Sequence, residues 1–295
     1  MQQSGLVGEY VSSAEDLMPA EELGFKPTYA FGKYRCFLEH ALEHPAKMNT
    51  ELLEFLVKRF TKPGDTVLDP MAGSGSTGVV CALHGRNCIQ VDVEPRFYTW
   101  MEKARENVEK HQMITPKGWI KNVCGDAREL NSLLSGKVSH VITSPPYLKT
   151  AYKGAGINKR RPRDVRIGCY TIGRTVASPN AVDNLPRYGD IDRLSFNGEG
   201  GPTYLSEMLK IYSECFKALK PGGYMAVVVK PFIKDRRVVD LPHHSYLLLS
   251  SCGFKLVKLY RLRLRVESFW RIIYHRKNPE VPAIRHEYVL VVQKP

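Results

Sequence analysis

The chain has 295 residues, of which 43% are hydrophobic and 25% are charged, and its formal net charge at pH 7 is +13. These values exclude a disordered or fibrous chain, and the length fits one large α/β domain with room for an inserted segment. No apolar run reaches the roughly 20 residues that span a bilayer, and no signal-peptide pattern opens the sequence. We therefore expect a soluble cytoplasmic protein, and its excess of Lys and Arg favours nucleic acid as a partner.

The seven cysteines are scattered along the chain, and none of them forms a C-x-x-C pair. An odd, dispersed set argues against a disulfide framework and against a structural zinc site. We therefore predict no metal, and we expect each cysteine to be a small buried residue.

The first half of the chain alternates between strand and helix patterns. Residues 1–28 lack periodicity and predict an irregular or partly helical leader, whereas apolar residues at helical spacing predict a helix over Thr50–Phe60. The strands and helices predicted next are Thr66–Leu68, Ser76–Leu83, Cys88–Val91, Glu94–His111, Trp119–Val123 and Val138–Ile142. This alternation predicts a parallel sheet covered on both faces, with ligands bound beyond the carboxyl ends of its strands.

Residues 148–201 interrupt the alternation. They contain ten Lys or Arg against five acidic residues and show little apolar periodicity. Because a loop of this length inside a compact domain is commonly functional, we predict a target-recognition segment. Its candidate contacts to phosphates or guanines are Lys159, Arg160, Arg161, Arg163 and Arg166.

The C-terminal part returns to regular patterns. The predicted elements are the helices Tyr204–Leu219 and His244–Ser251 and the strands Tyr224–Val229, Arg261–Val266 and Glu287–Val292. In the middle strand Arg261, Arg263 and Arg265 alternate with apolar residues, so one face packs and the other presents positive charge. We predict that these three arginines contact nucleic acid.

Loops at three predicted strand ends carry the chemistry. Asp69–Gly75 (Asp-Pro-Met-Ala-Gly-Ser-Gly) leads into a helix, and its glycines let the backbone approach a ligand there. Asp92 ends the next strand, where an acidic side chain can bind ribose hydroxyls. Ser144–Tyr147 (Ser-Pro-Pro-Tyr) follows the fourth strand.

Together these loops resemble the motifs of the amino-methyltransferases, specifically the DNA cytosine-N4 and adenine-N6 enzymes. The first motif of that family is D-P-F-x-G-x-G-T and its catalytic motif is [DNS]-P-P-[YFW]. Here Met71 stands in place of Phe and Ser76 follows the last glycine. His44–Met48 is similar to the H-P-x-K-F element of the family, Gly125–Ala127 to its adenine-contacting acidic element, and His286–Val291 to its closing strand.

The resemblance implies a Rossmann-like class I methyltransferase fold with a mostly parallel, doubly wound sheet, S-adenosylmethionine as cofactor, and double-stranded DNA as partner. It divides the chain into a leader (1–28), a cofactor-binding and catalytic half (29–147), the basic insertion (148–201) and a C-terminal half (202–295). The cofactor-binding residues that it implies are His44, Pro45, Lys47, Asp69, Pro70, Met71, Ala72, Gly73, Gly75, Asp92, Asp126 and Ala127.

The catalytic residues implied by the resemblance are Ser144, Pro145, Pro146 and Tyr147. An aromatic amine is a poor nucleophile because its lone pair is delocalised into the ring. Hydrogen bonds from the amine to the Ser144 hydroxyl and the Pro145 carbonyl would aim that lone pair, while the two prolines stiffen the loop. Tyr147 would stack on the flipped base, which offsets part of the flipping cost.

Several alternatives stay open at this point. Serine in the first catalytic position favours cytosine N4 over adenine N6. Three further interpretations are a tRNA guanine-N2 methyltransferase, a protein-glutamine methyltransferase and a non-catalytic nucleic-acid-binding module. Cytosine-C5 methylation is excluded because that family sets its nucleophile in a Pro-Cys pair, which this sequence lacks. A restriction endonuclease partner is compatible with the sequence, which leaves the oligomeric state open.

Overall fold

The computed structural model describes residues 13–25, 29–44, 47–111, 118–146, 204–234, 236–264, 273 and 276–295. Several predicted site residues lie outside these ranges: Pro45, Tyr147, Lys159, Arg160, Arg161, Arg163, Arg166 and Arg265, together with the whole insertion 148–201.

The described elements follow the predicted alternation. The strands are β1 (Glu21–Leu23), β2 (Thr66–Asp69), β3 (Asn87–Asp92), β4 (Ile120–Cys124), β5 (His140–Thr143), β6 (Tyr224–Val229), β7 (Phe232–Lys234), β8 (Arg237–Val239), β9 (Lys255–Arg263) and β10 (His286–Gln293). The α-helices are α1 (Arg35–Leu38), α2 (Thr50–Phe60), α3 (Ser76–Leu83), α4 (Pro95–Lys110), α5 (Leu130–Leu133), α6 (Tyr204–Ala218) and α7 (Leu241–Ser251). Short 3-10 turns occupy Ala14–Asp16, Tyr29–Tyr34, Glu39–Ala41 and Ala127–Glu129.

Eight strands form one sheet in the order β1-β9-β10-β6-β5-β2-β3-β4. All neighbouring pairs are parallel except those of β10, which runs antiparallel to β6 and to β9. Chain order reverses between β2 and β5, and ligands of such sheets bind at this switch point, beyond the carboxyl ends of the strands. The predicted Rossmann-like, doubly wound class I methyltransferase fold is confirmed.

Helices cover the sheet on both faces, because alternate residues of each central strand point to opposite sides. Leu68 and Val227 pack with α5, α6 and α7 in one apolar cluster, whereas Val67 and Val228 pack with α2, α3 and α4 in another. All four side chains are fully buried. Each such burial contributes about 1.5–3 kcal/mol to folding, so the two clusters hold the strand ends rigidly in place.

Three elements differ most from the sequence expectation. Strand β9 begins at Lys255, six residues before the predicted Arg261. Residues 21–23 are not irregular: they form β1, which pairs in parallel with the outer edge of β9. Helix α7 begins three residues earlier than predicted because Asp240 caps it, accepting a hydrogen bond from the His243 backbone N–H (3.0 Å), with Pro242 in the first turn. No helix among the described residues is long and apolar enough to cross a membrane.

Candidate functional site

The loop between β2 and α3 is built on two left-handed glycines. Gly73 has φ +52° and Gly75, the N-cap of α3, has φ +80°. A Cβ atom placed on Gly73 would lie 2.6 Å from Nε2 of His44, closer than any real contact. Glycine is therefore required at position 73 by the backbone and by the packed imidazole alike.

His44 connects the upstream element to this loop. Its ring packs against Phe97, with centroids 4.6 Å apart, and against the edge of Trp100 at 6.2 Å. The Lys47 ammonium donates to the backbone carbonyls of Leu42 and His44, and so it supports the turn that carries the ring. The structure thus brings His44 and Lys47 beside the loop, as their shared motif predicted.

Asp69 fixes the start of the loop from within the protein. Only 3% of the residue is exposed, and its carboxylate accepts hydrogen bonds from the Thr77 hydroxyl (2.6 Å) and the Met71 N–H (3.2 Å). Burial raises the pKa of Asp69 to about 6. Met71 and Ala72 are buried behind it, which makes Pro70–Ala72 a rigid wall of the site.

Asp92 joins the loop to the neighbouring strand. It is 8% exposed, and its two oxygens accept the backbone N–H groups of Gly73 (2.8 Å) and Glu94 (3.0 Å). Burial raises its pKa to about 7, even though both hydrogen bonds favour the charged form. Each carboxylate oxygen has two acceptor positions, so Asp92 keeps capacity for the two hydroxyls of a ribose.

Asp126 lies in the loop that follows β4. Its carboxylate is paired with Arg128, which donates from its backbone N–H (2.8 Å) and its Nε (2.9 Å to Oδ2), and this partner lowers the pKa of Asp126. Arg128 also donates to Glu207, whose side chain is 0% exposed. Arg128 thus pairs with the carboxylate, and the predicted contact of Asp126 with the cofactor stays a prediction. Ala127 is fully buried beside it.

Sequence reasoning missed Arg128 and Glu207. Arg128 follows the acidic element at a spacing of two, but nothing in the sequence links it to an acid on α6 that lies 79 positions away. Lys210, one turn along α6, adds a second cation to Glu207 at 2.8 Å. The cluster ties the first turns of α6 to the loop after β4.

The predicted catalytic loop begins where β5 ends. Strand β5 pairs with β2, with Val141 opposite Leu68, so the carboxyl ends of these strands meet at one edge. Ser144 is partly buried there, Pro145 is buried and Pro146 is exposed. Neighbouring strands lie about 4.8 Å apart, which sets the Ser144 loop beside the Asp69 loop.

The predicted basic strand splits into two environments. The Arg261 guanidinium is 30% exposed and lies 3.3 Å from Glu15 and 3.4 Å from Glu22, both from the N-terminal segment. Two carboxylates therefore already pair with Arg261, which makes it less available to phosphate than Arg263, and its predicted contact with nucleic acid stays a prediction. Arg263 is exposed at the carboxyl end of β9. Because β9 runs parallel to β6, that end lies on the same edge as Ser144.

The residues at this edge fit S-adenosylmethionine. Glycine-rich backbone at a helix N-terminus suits a carboxylate, and a buried acid with unused acceptor positions suits a ribose. Among the described residues, no group of three or more His, Cys, Asp or Glu side chains could hold a metal ion.

Comparison with known proteins places the first motif in a family. Residues 29–103 match the family model of N6 and N4 methyltransferases described as DNA methylase. The Type II methyltransferase M2.DpnII of Streptococcus pneumoniae is 40% identical over 67 residues, which cover 23% of this chain and 24% of that protein. The DNA adenine methyltransferase YhdJ of Escherichia coli is 33% identical over 81 residues, covering 28% of this chain and 27% of that protein.

An RNA-directed relative also matches. The tRNA (guanine(10)-N2)-dimethyltransferase of Methanothermobacter thermautotrophicus is 33% identical over 105 residues, covering 35% of this chain and 29% of that protein. The chain thus spans less than a third of the length of each of these three relatives. The predicted cofactor, S-adenosylmethionine, is confirmed by the family relationship. The motif resemblance is confirmed as well: residues 29–103 match the family model of the N6 and N4 DNA methylases, and Type II DNA methyltransferases are among the similar proteins.

Proposed function

We propose that this protein transfers a methyl group from S-adenosylmethionine to the exocyclic amino group of a base in double-stranded DNA. The observation that carries the proposal is the meeting of two loops at the switch point of the sheet. The first-motif loop follows β2, and Ser144 follows β5, the strand paired with β2. A cofactor held by Asp69–Gly75 and a base held by Ser144–Tyr147 would therefore be neighbours.

Several groups of the chain would have separate roles at this edge of the sheet. S-adenosylmethionine, when bound, supplies an electrophilic methyl group. The Ser144 hydroxyl and the Pro145 carbonyl accept hydrogen bonds from the target amine and so direct its lone pair. Pro145 and Pro146 have no N–H groups that could compete for these acceptors. Tyr147 stacks on the base, a contact worth about 1–3 kcal/mol. Holding both reactants in line provides the remaining rate enhancement.

Cytosine N4 is the base position that we favour, because Ser144 stands where the adenine-N6 enzymes of the family more often have Asp. The adenine reading draws support from the similarity to YhdJ, and the tRNA guanine-N2 reading from the similarity to the archaeal dimethyltransferase. The family match over residues 29–103 favours DNA over RNA. A non-catalytic module is disfavoured because the loops at both strand ends retain their chemistry.

Nucleoside mass spectrometry tests the proposal. Random-sequence duplex DNA and bulk tRNA are each incubated with the protein and isotopically labelled S-adenosylmethionine, then digested to nucleosides. We expect labelled N4-methylcytosine from DNA, and about a hundredfold less label at early times with the Ser144→Ala variant. Labelled N6-methyladenine would change the base assignment, labelled N2-methylguanosine from tRNA alone would replace DNA as substrate, and no label in either sample would overturn the proposal.

A further inference from the structure

The two-stranded hairpin β7–β8 lies at the same edge of the sheet as the catalytic loop. Strand β6 pairs in parallel with β5, with Thr143 opposite Val227. Ser144 and the residue after it therefore follow at the level of the last residues of β6, which ends at Val229. The hairpin begins at Phe232, shortly after β6 ends. Because β6 and β5 are neighbouring strands, the hairpin starts about 4.8 Å from the catalytic loop.

Both ends of the hairpin are anchored in the protein. The Phe232 side chain is buried in the apolar cluster formed with α6 and α7, and Val239 packs against the same cluster. Asp240, directly after β8, caps α7 and also accepts the Ala14 backbone N–H at 2.9 Å. The core and a helix cap thus fix where the hairpin projects.

The turn of the hairpin carries exposed positive charge. Arg236 lies in the turn with φ +60°, and Arg237 follows it opposite Lys234. The Arg236 side chain is 72% exposed, and Arg237 is exposed as well. Among the described residues, the one carboxylate within 4.0 Å of either guanidinium is that of Glu280, 3.7 Å from Arg236. Both members of that pair are solvated, so the contact is weak and a phosphate can displace it.

A second basic segment adjoins this turn. Glu280 belongs to the stretch 276–285, in which Arg276, Lys277 and Arg285 are exposed. The contact between Arg236 and Glu280 brings that stretch to the hairpin. The edge of the sheet beside the catalytic loop is therefore cationic on both sides of Glu280.

We propose that the hairpin β7–β8 binds the phosphate backbone of duplex DNA next to the target base, through Arg236 and Arg237. The proposal rests on the proposed function and adds a DNA-binding element to it. A two-stranded ribbon has the dimensions to enter the major groove, and a guanidinium offers two parallel donors to a phosphate. The hairpin lies one strand away from Ser144. Its two arginines would therefore contact the DNA phosphates that flank a flipped nucleotide.

The experiment compares the salt dependence of DNA binding in two charge-matched variants. Arg236→Gln/Arg237→Gln removes the charges of the hairpin and keeps both side-chain stems. Lys62→Gln/Lys220→Gln removes two exposed charges that precede β2 and β6, at the opposite edge of the sheet. Binding to a short random-sequence duplex is followed by fluorescence anisotropy between about 50 and 200 mM salt, the range in which phosphate contacts dominate.

We expect the hairpin variant to lower the slope of log K against log salt by about 1.8, or about 0.9 per contact. Raising the salt concentration fourfold weakens DNA binding by a certain factor in the wild type. In the hairpin variant that factor should be about twelvefold smaller. The Lys62/Lys220 variant should keep the wild-type slope. Glu280→Gln should bind more tightly at low salt, because it releases Arg236. Cofactor affinity, measured by calorimetry, should stay unchanged in all three.

The hairpin proposal is overturned if the hairpin variant keeps the wild-type slope, or if both charge-matched variants lower it equally. In either case the wild type still binds DNA, and the proposed function stands. A wild-type protein that shows no salt-dependent binding to duplex DNA would instead refute the proposed function, and the hairpin proposal with it.

Discussion

The carboxyl edge of the sheet has two sides that handle charge in opposite ways. On the cofactor side, at the ends of β2 and β3, Asp69 and Asp92 are buried and accept hydrogen bonds from backbone N–H groups and a hydroxyl. On the cationic side, at the ends of β6 and β9, Arg236, Arg237 and Arg263 are exposed. This arrangement fits the ribose hydroxyls of the cofactor on one side and the DNA that we propose as substrate on the other.

The difference indicates how a carboxylate could share this edge with the DNA that we propose as substrate. An exposed acid near the cationic side would repel phosphates and neutralise the arginines. Burial removes both effects, because it shields the acid from solvent and raises its pKa, to about 7 for Asp92. Near neutral pH Asp92 is therefore only partly charged, and further hydrogen-bond donors would favour its charged form.

Ser144 lies between the two sides, directly after β5, the strand that separates β2 from β6. Ser144→Ala should lower the single-turnover methylation rate about a hundredfold or more, as when one hydrogen bond to a transition state is lost. Affinity for cofactor and for DNA should stay within twofold or so, because the interaction matters most during transfer. Rapid-quench kinetics measures the rate, and Tyr147→Phe, which keeps the stacking ring, serves as the mild control. Full single-turnover activity in Ser144→Ala would show that the chemistry occurs elsewhere.

Asp92 tests the cofactor side. Asp92→Asn should weaken S-adenosylmethionine binding by about 1.5–3 kcal/mol, the range for hydrogen bonds to a charged group, and leave the salt slope of DNA binding unchanged. Calorimetry measures the first effect and anisotropy the second. Unchanged cofactor affinity would remove Asp92 from the site.

The raised pKa of Asp92 adds a signature in pH. Ribose hydroxyls donate to the charged carboxylate, so binding should lower its pKa below about 7 and release a proton near neutrality. Cofactor affinity should therefore rise with pH up to about 7 and then level off. Calorimetry in two buffers of different ionisation enthalpy measures the proton release. Asp92→Asn should abolish it, and a wild type without proton release would contradict the assigned role.

Two glycine variants test the packing of the cofactor side, with Gly64 as the matched control for Gly73. Gly73→Ala and Gly64→Ala both place a Cβ at positive φ, +52° and +89°, which costs about 1–2 kcal/mol of stability. Only the Gly73 variant drives its Cβ into His44, since nothing lies within 4 Å of a Cβ at Gly64. Thermal unfolding should show a larger loss of stability in Gly73→Ala than in Gly64→Ala, because only its Cβ meets His44, and calorimetry should show weaker cofactor binding in Gly73→Ala alone. Equal cofactor affinity in the two variants would mean that His44 and its loop do not hold the cofactor.

Local signals explain which elements the sequence predicted well. Helices α2 and α3 match their predicted bounds because caps, turns and apolar spacing are encoded within a few residues. The Asn49 side chain, for example, accepts hydrogen bonds from the Glu51 and Leu52 N–H groups. The loops after β2 and β5 were equally readable, because each carries its glycines or prolines in one short stretch.

Long-range pairings explain what the sequence left out. Arg128 meets Glu207 across 79 positions, and Arg261 meets Glu15 across 246. Strand β1 is three residues long and forms because β9 offers it an unpaired edge. Alternation along β9 correctly identified its polar face, but it could not show which arginine the N-terminal segment neutralises.

A comparison of Arg261 with Arg263 tests whether the arginine that the N-terminal segment pairs with differs from the exposed one. The expected effects are the smallest of those predicted here for the cationic side. They share one face of β9, but Arg261 lies between Glu15 and Glu22, whereas Arg263 is exposed at the catalytic edge. Arg263→Gln should lower the salt slope of DNA binding by about 0.9, so that the loss of affinity between about 50 and 200 mM salt shrinks by about 3.5-fold.

Arg261→Gln should leave that slope unchanged and should lower stability instead, by about 1 kcal/mol or less, because exposed ion pairs contribute little. The loss stays small because Tyr288 still donates its hydroxyl to Glu15 at 2.9 Å. Fluorescence anisotropy measures the salt slope of each variant, and thermal unfolding measures its stability. The slope should change only in Arg263→Gln, and the stability only in Arg261→Gln. A lower slope in Arg261→Gln would mean that DNA displaces the N-terminal acids, and the division between a neutralised and a free arginine would then fail.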